Sequence, residues 1–386
     1  MMNRLKGWIY DMAGWLATAG SRPPVQKTIL VVRLDEIGDF MLWHKFLPEI
    51  VDAPAYTGYS FHLYANSSWK SLYDRFYSDL PVEVTWVNKT QFKKDIKYRL
   101  NILRSAYHLH SEIVINPAYS RDKRNDDAIV AAARAQVRIG MKSNTESVKS
   151  YEKGYDQKLY TRLFDLPQRP VFEFYRNSAF TDFVTGSSNS IRDTSVDPGR
   201  LPSLSFTLPE KYFVVFPGSR SKARIWPTDH FAAVSTHLHQ RYGFTALVCG
   251  GPGDIEYTNA FCAAYTGPKL DLTGKTSLPE MLTIFAHASC LVSVDTGSVH
   301  LAAAAGCTVF GIFNGSQYKR FAPYPQNMHP GFFAIYPDEI EEDLADPQLV
   351  KEKYEFVISV PYASVKAEKV IAATEKATSF LRPAFS

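Results

Sequence analysis

The chain has 386 residues, 45% hydrophobic and 21% charged, so it is too long for one compact core and too apolar for a disordered segment. Two domains, or three, are implied. With 43 basic and 39 acidic residues the net charge is only +4, which argues against a nucleic-acid binder marked by charge alone and leaves room for a local basic patch.

The first twenty residues place Leu5, Trp8, Ile9, Met12, Trp15 and Leu16 at helical spacing, with Arg4 and Lys6 near the start. Such a stripe needs cover, either a membrane interface or the protein's own flank. Ser21-Arg22-Pro23-Pro24 then ends the helix, which sets residues 1–26 apart as an extension.

From Thr28 the pattern is α/β. Ile29-Leu30-Val31-Val32 reads as a buried strand, followed by a turn at 35–38 and a helix to Ile50. Further strands are expected at 61–64, 82–87 and 113–115, with a helix at 92–108 among the intervening segments. Strands alternating with helices imply parallel pairing, because parallel neighbours need a crossover connection. Residues 27–190 form the first domain on this reading. Between 185 and 203 serine, asparagine, aspartate, glycine and proline take over, marking a boundary.

The pattern restarts with strands at 212–216, 245–249, 290–294 and 308–313 and helices at 228–242, 255–265, 278–286 and 298–305. A second doubly wound domain at 200–360 follows, closed by a helix within 361–386. The cysteines Cys249, Cys262, Cys290 and Cys307 lack zinc-type spacing and read as reduced packing residues of a cytosolic protein. No apolar run reaches the ~20 residues that span a bilayer, and no secretory signal opens the chain, so export is not expected.

Ligands of open parallel sheets bind beyond the carboxyl ends of strands, where helix N-termini offer amide hydrogens. Three such ends in the second half suit a phosphorylated ligand. Pro217-Gly218-Ser219-Arg220, running to Lys222 and Arg224, combines close backbone approach, a hydroxyl and cations. Asp295-Thr296-Gly297-Ser298-Val299-His300 joins a strand to a small-residue helix: Asp295 is a ligand contact or an N-cap, and His300 a ligand contact or a brace. Asn314-Gly315-Ser316 with Lys319 and Arg320 is the third. At a fourth, weaker turn, Gly250 to Asp254, Asp254 or Glu256 is placed to meet ribose hydroxyls.

In the first half Asp35, Glu36 and Asp39 sit where the first strand turns into a helix, positions suited to a general base, with helix capping as the alternative for Asp39. Lys93, Lys94, Lys97, Arg99 and Arg104, interleaved with Tyr98 and Tyr107, make either a solvated helix face or a seat for an anionic acceptor.

The ordered set of Ile29 to Arg33 with Ile37-Gly38-Asp39, Phe216-Pro217-Gly218-Ser219 with Arg224-Ile225-Trp226-Pro227, Asp271 to Leu278, Asp295 to His300 and Gly315-Ser316 resembles glycosyltransferase family 9, the heptosyltransferases of lipopolysaccharide core synthesis. The resemblance spans about Lys27 to Pro325. It implies a GT-B fold, with two Rossmann-like doubly wound domains facing across a cleft, the acceptor in the first and the nucleotide sugar in the second. The last helix would then cross back to the first domain.

The resemblance also implies metal-independent, inverting transfer, with Asp39 as base, no cofactor and a nucleotide sugar, ADP-heptose in similar proteins, as co-substrate. By the same match Ser219, Arg220, Arg224, Thr296 and Gly297 would hold the donor diphosphate, Asp295 and His300 the sugar, and Asp254, Glu256 and Leu278 the nucleoside. The expected partners are the donor, a glycolipid or oligosaccharide acceptor placed at Lys93, Lys94, Lys97 and Arg99, and no nucleic acid. The protein would be cytoplasmic, or peripheral on the cytoplasmic face of the inner membrane. Arg224 stands where family members usually have lysine, replacing a point charge by a planar fork. Two other classes stand beside this one. A non-catalytic sugar-nucleotide or glycan binder could keep the same fold. A nucleotide-dependent oxidoreductase is disfavoured, because no G-x-G-x-x-G turn follows the strands at 29–32 or 212–216.

Overall fold

The computed structural model describes residues 10, 12–19, 24–142, 154–166 and 170–381. Leu5, Trp8 and Ile9 of the amphipathic start lie outside the described residues. The chain divides into two compact units, Met1–Pro167 with Tyr175–Ile191, and Gln168–Phe174 with Arg192–Ser386.

The first unit carries one all-parallel sheet of six strands: β1 (Gln26–Arg33), β2 (Ser60–Asn66), β3 (Val82–Val87), β4 (Ser111–Asn116), β5 (Val137–Met141) and β6 (Arg162–Phe164), in the order β3-β2-β1-β4-β5-β6. Ile29 to Val32 are fully buried because β1 is central and covered on both faces. β5 and the edge strand β6 go beyond the strands expected from the sequence, because Arg138, Gly140 and Arg162 interrupt their apolar runs.

The second unit repeats this plan with β7 (Tyr212–Phe216), β8 (Thr245–Val248), β9 (Lys269–Asp271), β10 (Leu291–Val294), β11 (Val309–Ile312) and β12 (Phe332–Ile335), in the order β12-β11-β10-β7-β8-β9. In both sheets the winding direction reverses between the first and fourth strands of the unit, β1 and β4 or β7 and β10. A crevice opens beyond the carboxyl ends at such a reversal.

The structure differs from several expected elements, and the helix expected to reach Ile50 is two, Ile37–Met41 and Phe46–Val51. The helix expected at 92–108 is two helices, Lys89–Lys94 and Ile96–His108, parted at Asp95, whose carboxylate caps the second by accepting from the N–H groups of Lys97 and Tyr98 at 2.9 and 3.1 Å. Residues 168–174, expected in the first domain, belong to the second unit: the buried Glu173 carboxylate pairs with Arg320 Nε at 2.9 Å, and Phe172 packs on Tyr324. The last helix, Ala367–Lys376, expected to cross back, is part of the second unit. There Val370 and Tyr362 join the core with Phe231 and Phe310, and Trp226 Nε1 donates to the Val365 carbonyl at 2.8 Å. Among the cysteines Cys249, Cys290 and Cys307 are buried, Cys262 is half-buried, and none forms a disulfide.

Candidate functional site

At the carboxyl edge of the second sheet, four turns contact one another in the order of their strands. After β9, Gly274 adopts φ +67° and its N–H donates to the Gly250 carbonyl at 2.8 Å, tying it to the turn after β8. That turn leans on the one after β7: a Cβ at Gly218 would lie 2.4 Å from the Asp254 carboxyl carbon, so only glycine permits the approach. From the β7 turn, Arg224 crosses the reversal point to β10. Its Nη1 lies 3.2 Å from Asp295 Oδ2 and donates to the Asp295 carbonyl at 2.9 Å. Ser219, Arg224, Asp295, Thr296 and Gly297 are thereby gathered at one strand edge.

The local sequence explains this placement. Trp226 and Phe231 pack edge to face in the core, with ring centroids 4.8 Å apart, and anchor the short helical turn Lys222–Arg224 beside the sheet. Thr296 caps the Gly297–Ala304 helix: its hydroxyl accepts from the Ser298 N–H at 3.4 Å and lies 2.7 Å from the Ser298 hydroxyl. That helix starts at the sheet's reversal point with Gly297 as its first residue, which sets the positive end of its dipole there. Ser219 is buried and its Oγ accepts from the Ser221 N–H at 3.3 Å. Arg220 is exposed on the same turn, and Lys275 folds back so that Nζ donates to the Asp271 carbonyl at 2.7 Å.

Burial raises the Asp295 carboxyl above the usual carboxylate range, while Arg224 and the Tyr362 hydroxyl pull it down. Tyr362 is itself raised, by burial first and then by the Asp295 charge. This tyrosine escaped sequence reading, since it follows Pro361 in a stretch with no motif.

Several expected site residues serve the loops instead. His300 is buried with Nδ1 2.9 Å from the Tyr324 hydroxyl, and burial, aided by the Arg224 charge, lowers it to about 3. As a neutral imidazole it braces the loop against Tyr324. Asp254 is half-buried; its Oδ2 accepts from the Gly251 N–H at 2.8 Å and the carboxylate packs on Gly218, so it shapes the turn. Glu256 is exposed in the first turn of the Ile255–Ala264 helix, and Leu278 is half-buried at the start of the Leu278–His287 helix. The third turn is spent on structure: Asn314 Nδ2 donates to the Val360 carbonyl at 2.9 Å, and Arg320 is buried against Glu173.

In the first unit the fully buried Arg33 holds the turn after β1. Its Nε lies 3.1 Å from Asp35 Oδ2, Nη1 donates to the Pro117 carbonyl at 2.7 Å, Nη2 donates to the Asp39 carbonyl at 3.3 Å, and the guanidinium lies over Trp43. Of the three carboxylates, Asp35 is thus engaged by Arg33. Glu36 is engaged by Lys89 at 2.8 Å: burial works to lower the Lys89 ammonium, but the Glu36 charge and hydrogen bond together with the charges of Asp35 and Asp126 outweigh it and the net shift is upward. Asp39 is half-buried in the first turn of the Ile37–Met41 helix.

Of the basic cluster, Lys93, Lys94 and Lys97 are exposed, but Arg99 is only 2% exposed. It lies over Phe92 and Tyr10 and donates to the Arg124 carbonyl at 2.7 Å, so it braces helices where the three lysines face outward. Among the described residues no group of three or more His, Cys, Asp or Glu side chains is arranged to hold a metal ion, and no helix is long and apolar enough to cross a membrane.

Comparison with known proteins agrees with this architecture. The family model described as glycosyltransferase family 9 (heptosyltransferase) matches residues 127–334. Lipopolysaccharide heptosyltransferase 3 of Escherichia coli K12 is 28% identical over 201 residues, 51% of this chain and 55% of that protein. The chain thus spans about half the length of the curated relatives it matches. Among solved structures, a family 9 glycosyl transferase from Veillonella parvula superposes with a TM-score of 0.64 at 16% identity, covering 92% of this chain and 98% of that one. The E. coli heptosyltransferase WaaC with ADP gives 0.64 at 15% identity, covering 90% and 99%. Both share this chain's architecture of two Rossmann-like domains, the GT-B fold.

Proposed function

Because the chain belongs to glycosyltransferase family 9, we propose that it transfers a sugar, heptose from ADP-heptose, to a lipopolysaccharide core or related glycan acceptor. What carries the reading is the Arg224 bridge to Asp295, which collects a cation, two hydroxyls and a helix start at the reversal point of the second sheet. A nucleoside diphosphate is the leaving group that such a cradle suits. The ADP bound by the WaaC neighbour supports adenine as the base.

In the proposed reaction Asp39 accepts the proton of the acceptor hydroxyl as that oxygen attacks the anomeric carbon, opposite the departing diphosphate, with inversion. Negative charge grows on the diphosphate, and Arg224, the Ser219 and Thr296 hydroxyls and the Gly297 amide are pre-aimed donors that lower the barrier without requiring a metal ion or cofactor. The exposed Arg220 adds a further charge. Asp295 would meet the sugar hydroxyls, and Glu256 and Leu278 the nucleoside. Lys93, Lys94 and Lys97 would meet an anionic acceptor. An acceptor carried on a glycolipid places the protein at the cytoplasmic face of the inner membrane as a peripheral partner.

The test is transfer from ADP-heptose by the wild type and by Asp39→Ala. The proposal expects turnover to collapse in the variant with nucleotide affinity kept. Equal turnover in both would remove Asp39 as base, and absence of any turnover in the wild type would favour a non-catalytic binder.

A further inference from the structure

At its described residues, 10 and 12–17, the N-terminal helix turns small side chains inward and large apolar ones outward. Its inward contacts are small: Ala13 and Ala17 are buried, and Ala17 joins the core of the first unit. Met12, Trp15 and Leu16, at i, i+3 and i+4, point outward and are 40%, 69% and 41% exposed. The helix is nonetheless tied down. Arg134 Nη2 donates to Thr18 Oγ1 at 2.9 Å, the Tyr10 hydroxyl donates to the Lys93 carbonyl, and Arg99 and Arg124 lie over the Tyr10 ring. An apolar stripe held outward on a fastened helix calls for a partner.

Beside this stripe lies a cavity of about 640 Å³, bounded by Trp15 and Leu159 and rimmed by Lys123, Arg124, Arg134 and Lys158. The one acid among the described lining residues, Asp127, pairs with Arg121 Nη1 at 3.1 Å, a cation it shares with Asp156, and is outnumbered by the cations around the cavity. None of the lining residues belongs to the Asp39 turn. The surface therefore joins three outward apolar side chains to a roomy, positively charged recess. Its complement is an amphiphile with an anionic head and apolar tails, and tryptophan and basic residues both favour the bilayer interface.

We propose that this cavity seats the phosphate headgroup of an anionic phospholipid while Met12, Trp15 and Leu16 enter the acyl boundary, docking the first domain on a bilayer. This deepens the peripheral membrane contact proposed above and gives it a site. Each cation at the surface is worth about fivefold in binding to an anionic bilayer.

The test is flotation of the full chain with vesicles of phosphatidylcholine, with and without phosphatidylglycerol, in the absence of donor and acceptor, so that its outcome is independent of the transferase reading. The proposal expects flotation only with phosphatidylglycerol, reduced about 25-fold by combining Lys123→Ala with Lys158→Ala and abolished by Trp15→Ser. Trp15→Phe should still float while losing the quenching of tryptophan fluorescence by brominated lipid. Inorganic phosphate should not release the protein. Flotation without phosphatidylglycerol, flotation indifferent to these substitutions, release by phosphate alone, or no flotation at all would each overturn the proposal.

Discussion

Arg224 joins the turn after β7 to the end of β10: it meets the Asp295 carboxylate at 3.2 Å and the Asp295 carbonyl at 2.9 Å. The two contacts span the point where the second sheet reverses its winding, and they fix the guanidinium at the proposed diphosphate site. Replacing Arg224 by alanine should lower kcat for sugar transfer by about 10²–10³-fold, the usual cost of losing one pre-aimed donor to a developing anion. Arg224→Lys should fall between, since lysine keeps the charge but not the two-point hold. Steady-state kinetics of both variants measure this.

Asp39 belongs to the first unit. Asp39→Asn keeps its shape and removes its basicity, so kcat should fall about 10²–10⁴-fold while the nucleotide dissociation constant stays at the wild-type value. Parallel kinetics and calorimetry check both halves of this expectation.

His300 gives the protein a sensitivity to acid. Its folded pKa of about 3 lies below the ordinary 6.5, so the unfolded chain takes up the proton first. Stability should therefore fall as pH drops below about 6.5, by up to roughly 1.4 kcal/mol per pH unit, until the folded pKa is reached. Asp295, shifted upward, acts in the opposite sense above its ordinary value of 3.8. Subtracting the urea-unfolding profile of His300→Gln from that of the wild type isolates the histidine, and the difference should lose its pH slope above about 6.5.

Arg121 is a structural counterpart. It is fully buried with Nη1 3.1 Å from Asp127, its Nη2 bonds to the buried Asp156, and Tyr160 donates to Asp127 at 2.6 Å. Arg121→Met leaves two carboxylates without their cation and should cost about 3–5 kcal/mol. Thermal unfolding should show a large drop in midpoint that Asp127→Asn combined with Asp156→Asn partly restores.

What was legible in the sequence was the architecture and the strand-end turns. Runs such as Ile29 to Val32 and Tyr212 to Phe216 are apolar because central parallel strands are covered on both faces, and Gly218 and Thr296 stand where those strands end. Short strands at and beside the sheet edges were not legible: β6, β9 and β12 are edge strands of three or four residues, and β5 beside β6 carries Arg138 and Gly140, whereas the longer edge strand β3 was legible. Nor could sequence separate residues facing a ligand from residues facing a loop. Asp254, His300 and Arg320 carry suitable chemistry, but a buried neighbour claims each: the Gly218 turn, Tyr324 and Glu173. Such partners lie far along the chain, as does Tyr362 from Asp295.

The central claim, that the second domain cradles a nucleoside diphosphate at the Arg224 bridge, is tested most directly by calorimetric titration of ADP into the wild type, Arg224→Ala and Asp39→Ala. One ADP should bind per chain, about 10–100-fold more weakly in Arg224→Ala, as expected for a lost charged hydrogen bond, and with unchanged affinity in Asp39→Ala. Binding of equal strength in the wild type and Arg224→Ala, or no binding to the wild type, would contradict it.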